Sequence, residues 1–391
     1  MDHRFPKRKN DLVEIQRTSP LKTKPTMRIL HISSAKSWRG GEQQIAYLIE
    51  ELRTEGISQE AFCPKDSPLE IYCKKNNIIC TTYKKRFSVN PLVARKLSQY
   101  SSRNNFDLVH LHDSHAHTFA CMAAAFYRMS TPMVLHRRVD FPVGGSALSK
   151  WKYNHPGIKA MICVSHFVKA VLSKTVNEAA KIKVVHSGVD LNRFPKQQKN
   201  KLREEFQVPD EIAIVANVAA ITEQKDYHTF VRTAERLLKE KTKAHFFIIG
   251  EGKQRKEIEA YVKELGLDEK ITFTGFRKDI TEIFSNIDVL LFSSQTEGLG
   301  TTLLDAQLCG VPIVATNVGG IPEIVEHENT GLLANRAEDE VLAKHVRLLL
   351  SDNTARKQMA ERARKSVEQF SKSKMAKGVL GIYKEVFVEE R

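Results

Sequence analysis

Residues 297–316 read EGLGTTLLDAQLCGVPIVAT, and the order of chemistry in that stretch decides the fold. A strand ends just before it at Val289–Phe292, a loop holds Gly298 and Gly300, a helix starts near Thr301, and another strand follows at Pro312–Ala315. Short apolar runs separated by a helix-length segment read as a βαβ unit of a parallel sheet. The glycines let backbone approach a ligand closely, and the helix points free N–H groups at whatever sits there, for which a diphosphate is the natural guest. In the mouth of the loop Glu297 is placed to accept hydrogen bonds from sugar hydroxyls, and Asp305, two turns into the helix, to reach a ribose diol. The same pattern also describes a plain tight turn, so alone it leaves both readings open.

The strand–loop–helix rhythm extends in both directions. Upstream, Met27–Ile32 reads as a buried strand, and the turn Ser37-Trp38-Arg39-Gly40-Gly41 opens a helix with Ile45, Leu48, Ile49 and Leu52 on one face. Further strands fit Leu108–Leu111, Met133–His136, Ala160–Val164 and Lys183–His186, then Ile212–Val218, His245–Ile249 and Ile271–Phe273. A polar break near 191–201 divides these runs into two similar halves. The expected organisation is a flexible basic leader (1–26), an N-terminal Rossmann-like domain (27–190), a C-terminal one (191–371), and a closing helix (372–391). That helix, apolar through Met375, Val379, Ile382, Tyr383 and Val386, is expected to pack back on the N-terminal domain. Each doubly wound α/β sheet binds ligands at the carboxyl ends of its strands, so two facing sheets imply a ligand in the cleft between them.

Composition narrows the class. The 391 residues exceed the usual single-domain size, 41% are apolar and 27% charged, and no apolar run approaches the ~18 residues needed to cross a bilayer. Residues 1–26 contain no apolar core of a secretory signal, and the six cysteines form no CxxC framework, which together fit a cytoplasmic, reducing setting. The net charge of +15, with clusters at Lys84-Lys85-Arg86 and Arg137-Arg138, suits an anionic membrane surface, so the protein is expected to sit peripherally on its inner face. A solvated basic surface accounts for the charge equally well. Nucleic acid is not an expected partner, because no helix-turn-helix, zinc-finger or RNP-like pattern occurs.

With its surroundings, the opening stretch resembles the Glu-x7-Glu signature of the retaining glycosyltransferases of family 4, whose GT-B fold sets two Rossmann-like domains face to face. Asp305 stands where that family usually has its second glutamate. Thr274-Gly275-Phe276 before it, and Gly319-Gly320-Ile321-Pro322-Glu323 and Thr330-Gly331-Leu332 after it, also match, and the likeness spans roughly 27–391. The resemblance implies a nucleotide diphosphate-sugar donor, no cofactor and no metal. It places Gly40, Gly41 and Glu42 in the N-terminal glycine loop that meets phosphate, Gly300, Thr301 and Thr302 at the helix N-terminus facing the donor, and Val185–Phe194 in an interdomain strand. Lys225 takes the position of the lysine that neutralises the diphosphate, but Ala220 stands where an arginine is usual, and Arg277, or basic residues of the N-terminal domain, are the expected substitutes. In the run His110-Leu111-His112-Asp113-Ser114-His115-Ala116-His117, His112 best matches the histidine that touches the transferred sugar, with His115 the runner-up. His136-Arg137-Arg138 is expected to line the acceptor side.

The expected reaction is front-face hexosyl transfer with retention onto a lipid-linked or saccharide acceptor, with His112, Lys225 and Glu297 as the catalytic set and the binding energy spent on alignment and on the departing diphosphate. Two rivals share the fold: a nucleotide-sugar 2-epimerase-like enzyme, and a catalytically silent nucleotide-sugar binder, which Ala220 and Asp305 suggest. A dinucleotide dehydrogenase is disfavoured, since Gly250-Glu251-Gly252-Lys253-Gln254-Arg255 lacks the third glycine of its fingerprint. The histidine run raises a metal site, but no acidic or cysteine ligand accompanies it at ligand spacing.

Overall fold

A computed structural model describes residues 27–85, 87–194 and 201–390; the leader expected at 1–26, and Arg86 of the basic cluster, lie outside them. The described chain builds two wholly parallel sheets. The first orders its strands β3-β2-β1-β4-β5-β6-β7, from β1 (Arg28–Ile32), β2 (Ser58–Pro64), β3 (Ile79–Tyr83), β4 (Leu108–Leu111), β5 (Met133–Arg137), β6 (Ile158–Cys163) and β7 (Ile182–Val184). The second runs β10-β9-β8-β11-β12-β13, from β8 (Ala213–Val218), β9 (Ala244–Ile249), β10 (Ile271–Gly275), β11 (Val289–Phe292), β12 (Ile313–Thr316) and β13 (Leu332–Ala334). Central strands such as β4, β11 and β12 are buried at every residue, as a sheet covered by helices on both faces requires.

Topology alone then locates the crevice. In each sheet the chain winds outward on one side, returns, and winds outward on the other, so the order reverses between β1 and β4 and again between β8 and β11. A doubly wound sheet opens its ligand crevice outside the carboxyl ends of the strands at that reversal. The residues delivered there are those following β1 and β4 in one half, and those following β8 and β11 in the other.

One face of the first sheet carries an unusual layer. Register pairs His31 with His110, and strand alternation puts His112 and His136 on that same face. Nearer the amino ends of the strands, Ile29, Leu108, Val134 and Ala160 continue the face as ordinary apolar core. The first helix (Gly40–Thr54) and the last (Lys372–Glu389) cover it, through Tyr47, Leu48 and Leu52 from one and Val379, Tyr383 and Val386 from the other. Each such large apolar side chain contributes roughly 1.5–3 kcal/mol on burial.

The chain passes between the halves twice, and the two passages lie side by side. Val189 forms a single parallel bridge with Ser371, and a side chain on Gly188 would meet Lys372 Cα at 2.6 Å. The stretch 185–194 expected as an interdomain strand is therefore a loop with one bridge, since only Ser371 runs alongside it. The first helix clamps this crossing through Gln44, whose amide bonds both the carbonyl oxygen and the N–H of Gly188, at 2.7 and 2.8 Å.

Candidate functional site

The two reversals face each other. A pocket of about 150 Å³ lies between them, lined by Gly40, Gly41, Gln44, Arg138, Val164 and Ser187 from the first half and by Glu297, Leu299, Gly300 and Thr301 from the second. Two helices start at this pocket, Gly40–Thr54 and Thr301–Cys309, and a side chain on Gly40 would lie 3.4 Å from the Thr301 hydroxyl. Gly300 caps the second helix at φ 90°, a left-handed conformation that a side chain would strain. Unpaired N–H groups of two helix starts thus converge, and both helix dipoles present their positive ends. The halves meet at the rim, where Thr296 donates to Asp140 and the Arg138 carbonyl abuts Gly298 too closely for any side chain at that glycine.

Lys225 follows β8 and Glu297 follows β11, so the reversal brings them together although 72 positions separate them. They form an ion pair, and the Lys225 ammonium also lies 4.8 Å from the centre of the Phe292 ring. Gly40, Gly41, Gly300 and Thr301 line the pocket, and Thr302 follows one residue into the helix.

Four expected site residues are used differently. Glu42 is buried and accepts from the Arg39 N–H at 3.0 Å, so its carboxylate caps its own helix instead of facing a donor. Asp305 has both oxygens 3.0 Å from Arg193 Nη1, a grip that turns it from a ribose ligand into an anchor for the linker. Burial pushes the Asp305 carboxyl up to about 6, and the Arg193 guanidinium only partly offsets this. Arg277 is bound by Glu205 and Asp279 on four hydrogen bonds, which hold it at the end of the edge strand β10, away from the gap that Ala220 leaves. His112 is 7% exposed and packs under Arg138 within the histidine layer, not in the cleft, because alternation along β4 aims it at the covered face of the sheet. Burial holds its imidazole well below the ordinary histidine range, so it is neutral.

Among the described residues, histidines gather three potential ligands within reach of one another in two places, His31–His110–His112 and His166–His186–Glu323. The second group has the acidic partner that spacing along the sequence did not reveal, because Glu323 arrives from the other half. Its carboxylate accepts from the His166 and Phe167 N–H groups at 2.8 and 2.9 Å and from His186 Nε2 at 2.8 Å, which caps the helix His166–Ser173 from across the interface. Gly250 and Gly252 pack against the Ala219 and Ile221 carbonyls with no room for a Cβ, so these glycines serve close loop packing.

Comparison with known proteins agrees with this architecture. Residues 38–193 match the family described as Glycosyltransferase Family 4, and 198–366 the one described as Glycosyl transferases group 1. N-acetyl-alpha-D-glucosaminyl L-malate synthase of Bacillus anthracis is 28% identical over 306 residues, 76% of this chain and 80% of that protein. Among solved structures, Anabaena Alr3699/HepE in complex with UDP and glucose superposes with a TM-score of 0.80 at 20% identity, over 92% of this chain and 100% of that one. A glycosyltransferase from Rickettsia africae gives 0.80 at 22% identity, over 92% and 98%.

Proposed function

The chain belongs to the family 4 glycosyltransferases and has their GT-B fold, and from that premise we propose that it moves a hexose-type sugar from a nucleotide diphosphate-sugar to an acceptor with retention at the anomeric carbon. The observation that carries this reading is the meeting of two helix N-termini, at Gly40 and Thr301, over the Lys225–Glu297 pair. Such a site favours an anion at the centre and hydroxyl groups at the Glu297 edge. The Anabaena fold neighbour holds UDP and glucose, which supports a donor of this chemistry. Retention is proposed from the resemblance to the retaining enzymes of the family; given retention, the pocket's lining favours a front-face route, because its one carboxylate, Glu297, is engaged by Lys225 and so is poorly placed as a covalent nucleophile. In the step proposed, the bond from the anomeric carbon to the diphosphate oxygen breaks as the acceptor oxygen bonds to the same face of that carbon. The acceptor proton passes to the departing phosphate oxygen. No metal is assigned a part in it.

A panel of nucleotide-sugars, assayed for transfer and with the product's anomeric configuration read by NMR, tests this. Transfer with retention is expected. Inversion would overturn the mechanism, epimerised donor would favour the epimerase reading, and binding without turnover would favour a silent binder.

The acceptor proposed is lipid-linked or a saccharide of the cell envelope, with the protein held on an anionic membrane surface. No helix among the described residues is long and apolar enough to cross a membrane. At the carboxyl ends of β2 and β3, Phe87, Val89 and Leu92 are 70%, 49% and 78% exposed, beside the exposed Lys65, Lys84 and Lys96. Apolar side chains ringed by lysines suit insertion among anionic headgroups, with each cation contributing about 1 kcal/mol. Binding to anionic vesicles is expected to exceed binding to neutral ones, to fall with salt, and to weaken in Leu92→Asp. Equal affinity for both vesicle types would sink the idea.

A further inference from the structure

Arg138 is the pocket's unanswered charge. Lys225, the cation that reaches its edge, is neutralised by the lining residue Glu297, whereas no carboxylate pairs with Arg138 among the described residues. The two nearest acids are spent elsewhere. Glu42 accepts from Arg39, and Asp113 caps its helix by accepting from Ser34, His115 and Ala116. A guanidinium has five N–H donors. Three of those on Arg138 are used: one to the His112 carbonyl at 3.2 Å, and two to the Nδ1 atoms of His112 and His136 at 3.3 and 3.2 Å. The Nε atom is buried and has no partner. A cation withdrawn from water without a counter-charge is costly unless a ligand supplies one.

What holds Arg138 has a direction. Arginine only donates, so His112 Nδ1 is an acceptor and its proton sits on Nε2, which then donates to His31 Nδ1 at 3.0 Å. The His31 proton therefore lies on Nε2 and goes to Gln59 Oε1 at 3.0 Å, while the Gln59 amide donates to the Ile49 carbonyl at 2.9 Å. A single-file chain of neutral groups thus runs from Arg138 through His112, His31 and Gln59 to the first helix. Burial and the arginine's charge both keep these imidazoles neutral, which they must be to accept from it.

We propose that Arg138 is the group that binds a phosphoryl anion in this cleft, supplying from the N-terminal half the cation missing at Ala220, and that His112, His31 and Gln59 are its positioning residues. This rests on the cleft being the donor site proposed above. The phosphoryl group is either the donor's diphosphate or a phosphate on the acceptor, and two titrations separate these sources.

In the first, the full chain is titrated with nucleoside diphosphates (UDP, GDP, ADP) and with the matching nucleosides. Arg138→Gln is expected to weaken diphosphate binding roughly 10- to 100-fold, the worth of charge-assisted hydrogen bonds, and to leave nucleoside binding alone. Arg138→Lys should fall between. In the second, glycerol 3-phosphate is titrated with nucleoside diphosphate saturating; loss confined to this arm assigns Arg138 to the acceptor. His112→Ala should mimic a weakened Arg138 in whichever arm responds, and His112→Gln, which restores an acceptor, should recover part of the loss. A purely structural role for His112 would show no such recovery, and would overturn its assignment as a positioning residue. Undiminished binding in both arms by folded Arg138→Gln overturns the proposal, as does wild-type protein that binds neither probe. Diphosphate binding that depends on Arg138, without transfer from any nucleotide-sugar, would leave Arg138 assigned and defeat the transferase reading alone.

Discussion

Lys225→Ala is expected to lower kcat/KM by at least ~10²-fold, the scale of losing one preorganised charge beside a developing anion. Two losses combine. The departing diphosphate is deprived of the cation contributed by the C-terminal half, where Ala220 offers no substitute and Arg277 is tied to Glu205 and Asp279. Glu297, its side chain 17% exposed, is also left without its partner, so it is free to turn away from the sugar. Adding Glu297→Gln should therefore cost much less in the Lys225→Ala background than in wild type, because coupled residues are not additive. Steady-state kinetics on the four proteins decides it: a single mutant within threefold of wild type would remove Lys225 from the mechanism.

Gly319→Ala is expected to abolish turnover although it adds a single methyl group. Gly319 sits at φ +57°, and a Cβ there would press into the backbone of Glu297. Its neighbour Gly320 donates to the Glu297 carbonyl at 2.9 Å, and a Cβ on it would press into the Gly298 carbonyl. This glycine pair is thus the mould of the Glu297 loop. Strain at positive φ and overpacking each cost roughly 1–3 kcal/mol, and an ångström of displacement in a positioning residue lowers rate by about 10²-fold. Gly266→Ala provides the control: at φ +66° it carries the same backbone strain, but its Cβ would meet nothing within 4 Å. Thermal denaturation and turnover measured together should show both variants destabilised and only Gly319→Ala inactive. Full activity in Gly319→Ala would mean that the loop tolerates the shift and that Glu297 placement is not limiting.

The architecture was legible in the sequence wherever a strand is buried on both faces. Val289–Phe292 is an uninterrupted apolar run, Leu108–Leu111 is broken only by His110, and both stand in the structure with those same bounds. Strands β2, β3 and β13 escaped, each for its own reason. In β2, Gln59 and Glu60 interrupt the pattern because they bond His31 and Arg28; β3 is an edge strand with Ile79 exposed; β13 has only three residues. At the site, the glycine loops, Lys225 and Glu297 converge because both topological reversals deliver them to one crevice. His112 was harder to place. Its position just beyond a strand is evident, but the face it points to depends on register with β1 and β5. Arg138 had a usable signal, since it lies two residues beyond His136 and therefore on the same side. Arg193 had none, since its contact with Asp305 joins residues 112 positions apart.

The last helix closes the sheet on which the first strand lies, and this sets an order on the protein's assembly in time. A ribosome releases the first half of the chain, up to Val189, long before Lys372–Glu389 exists. At about 5–20 residues per second, the wait for those intervening residues is on the order of 10–40 s. Throughout it, the helix's share of the cover over Ile29, Leu108, Val134 and the histidine layer is missing. The half synthesised first is finished only when Lys372–Glu389 arrives, so that helix, rather than the domain boundary, marks when the first sheet can complete its core.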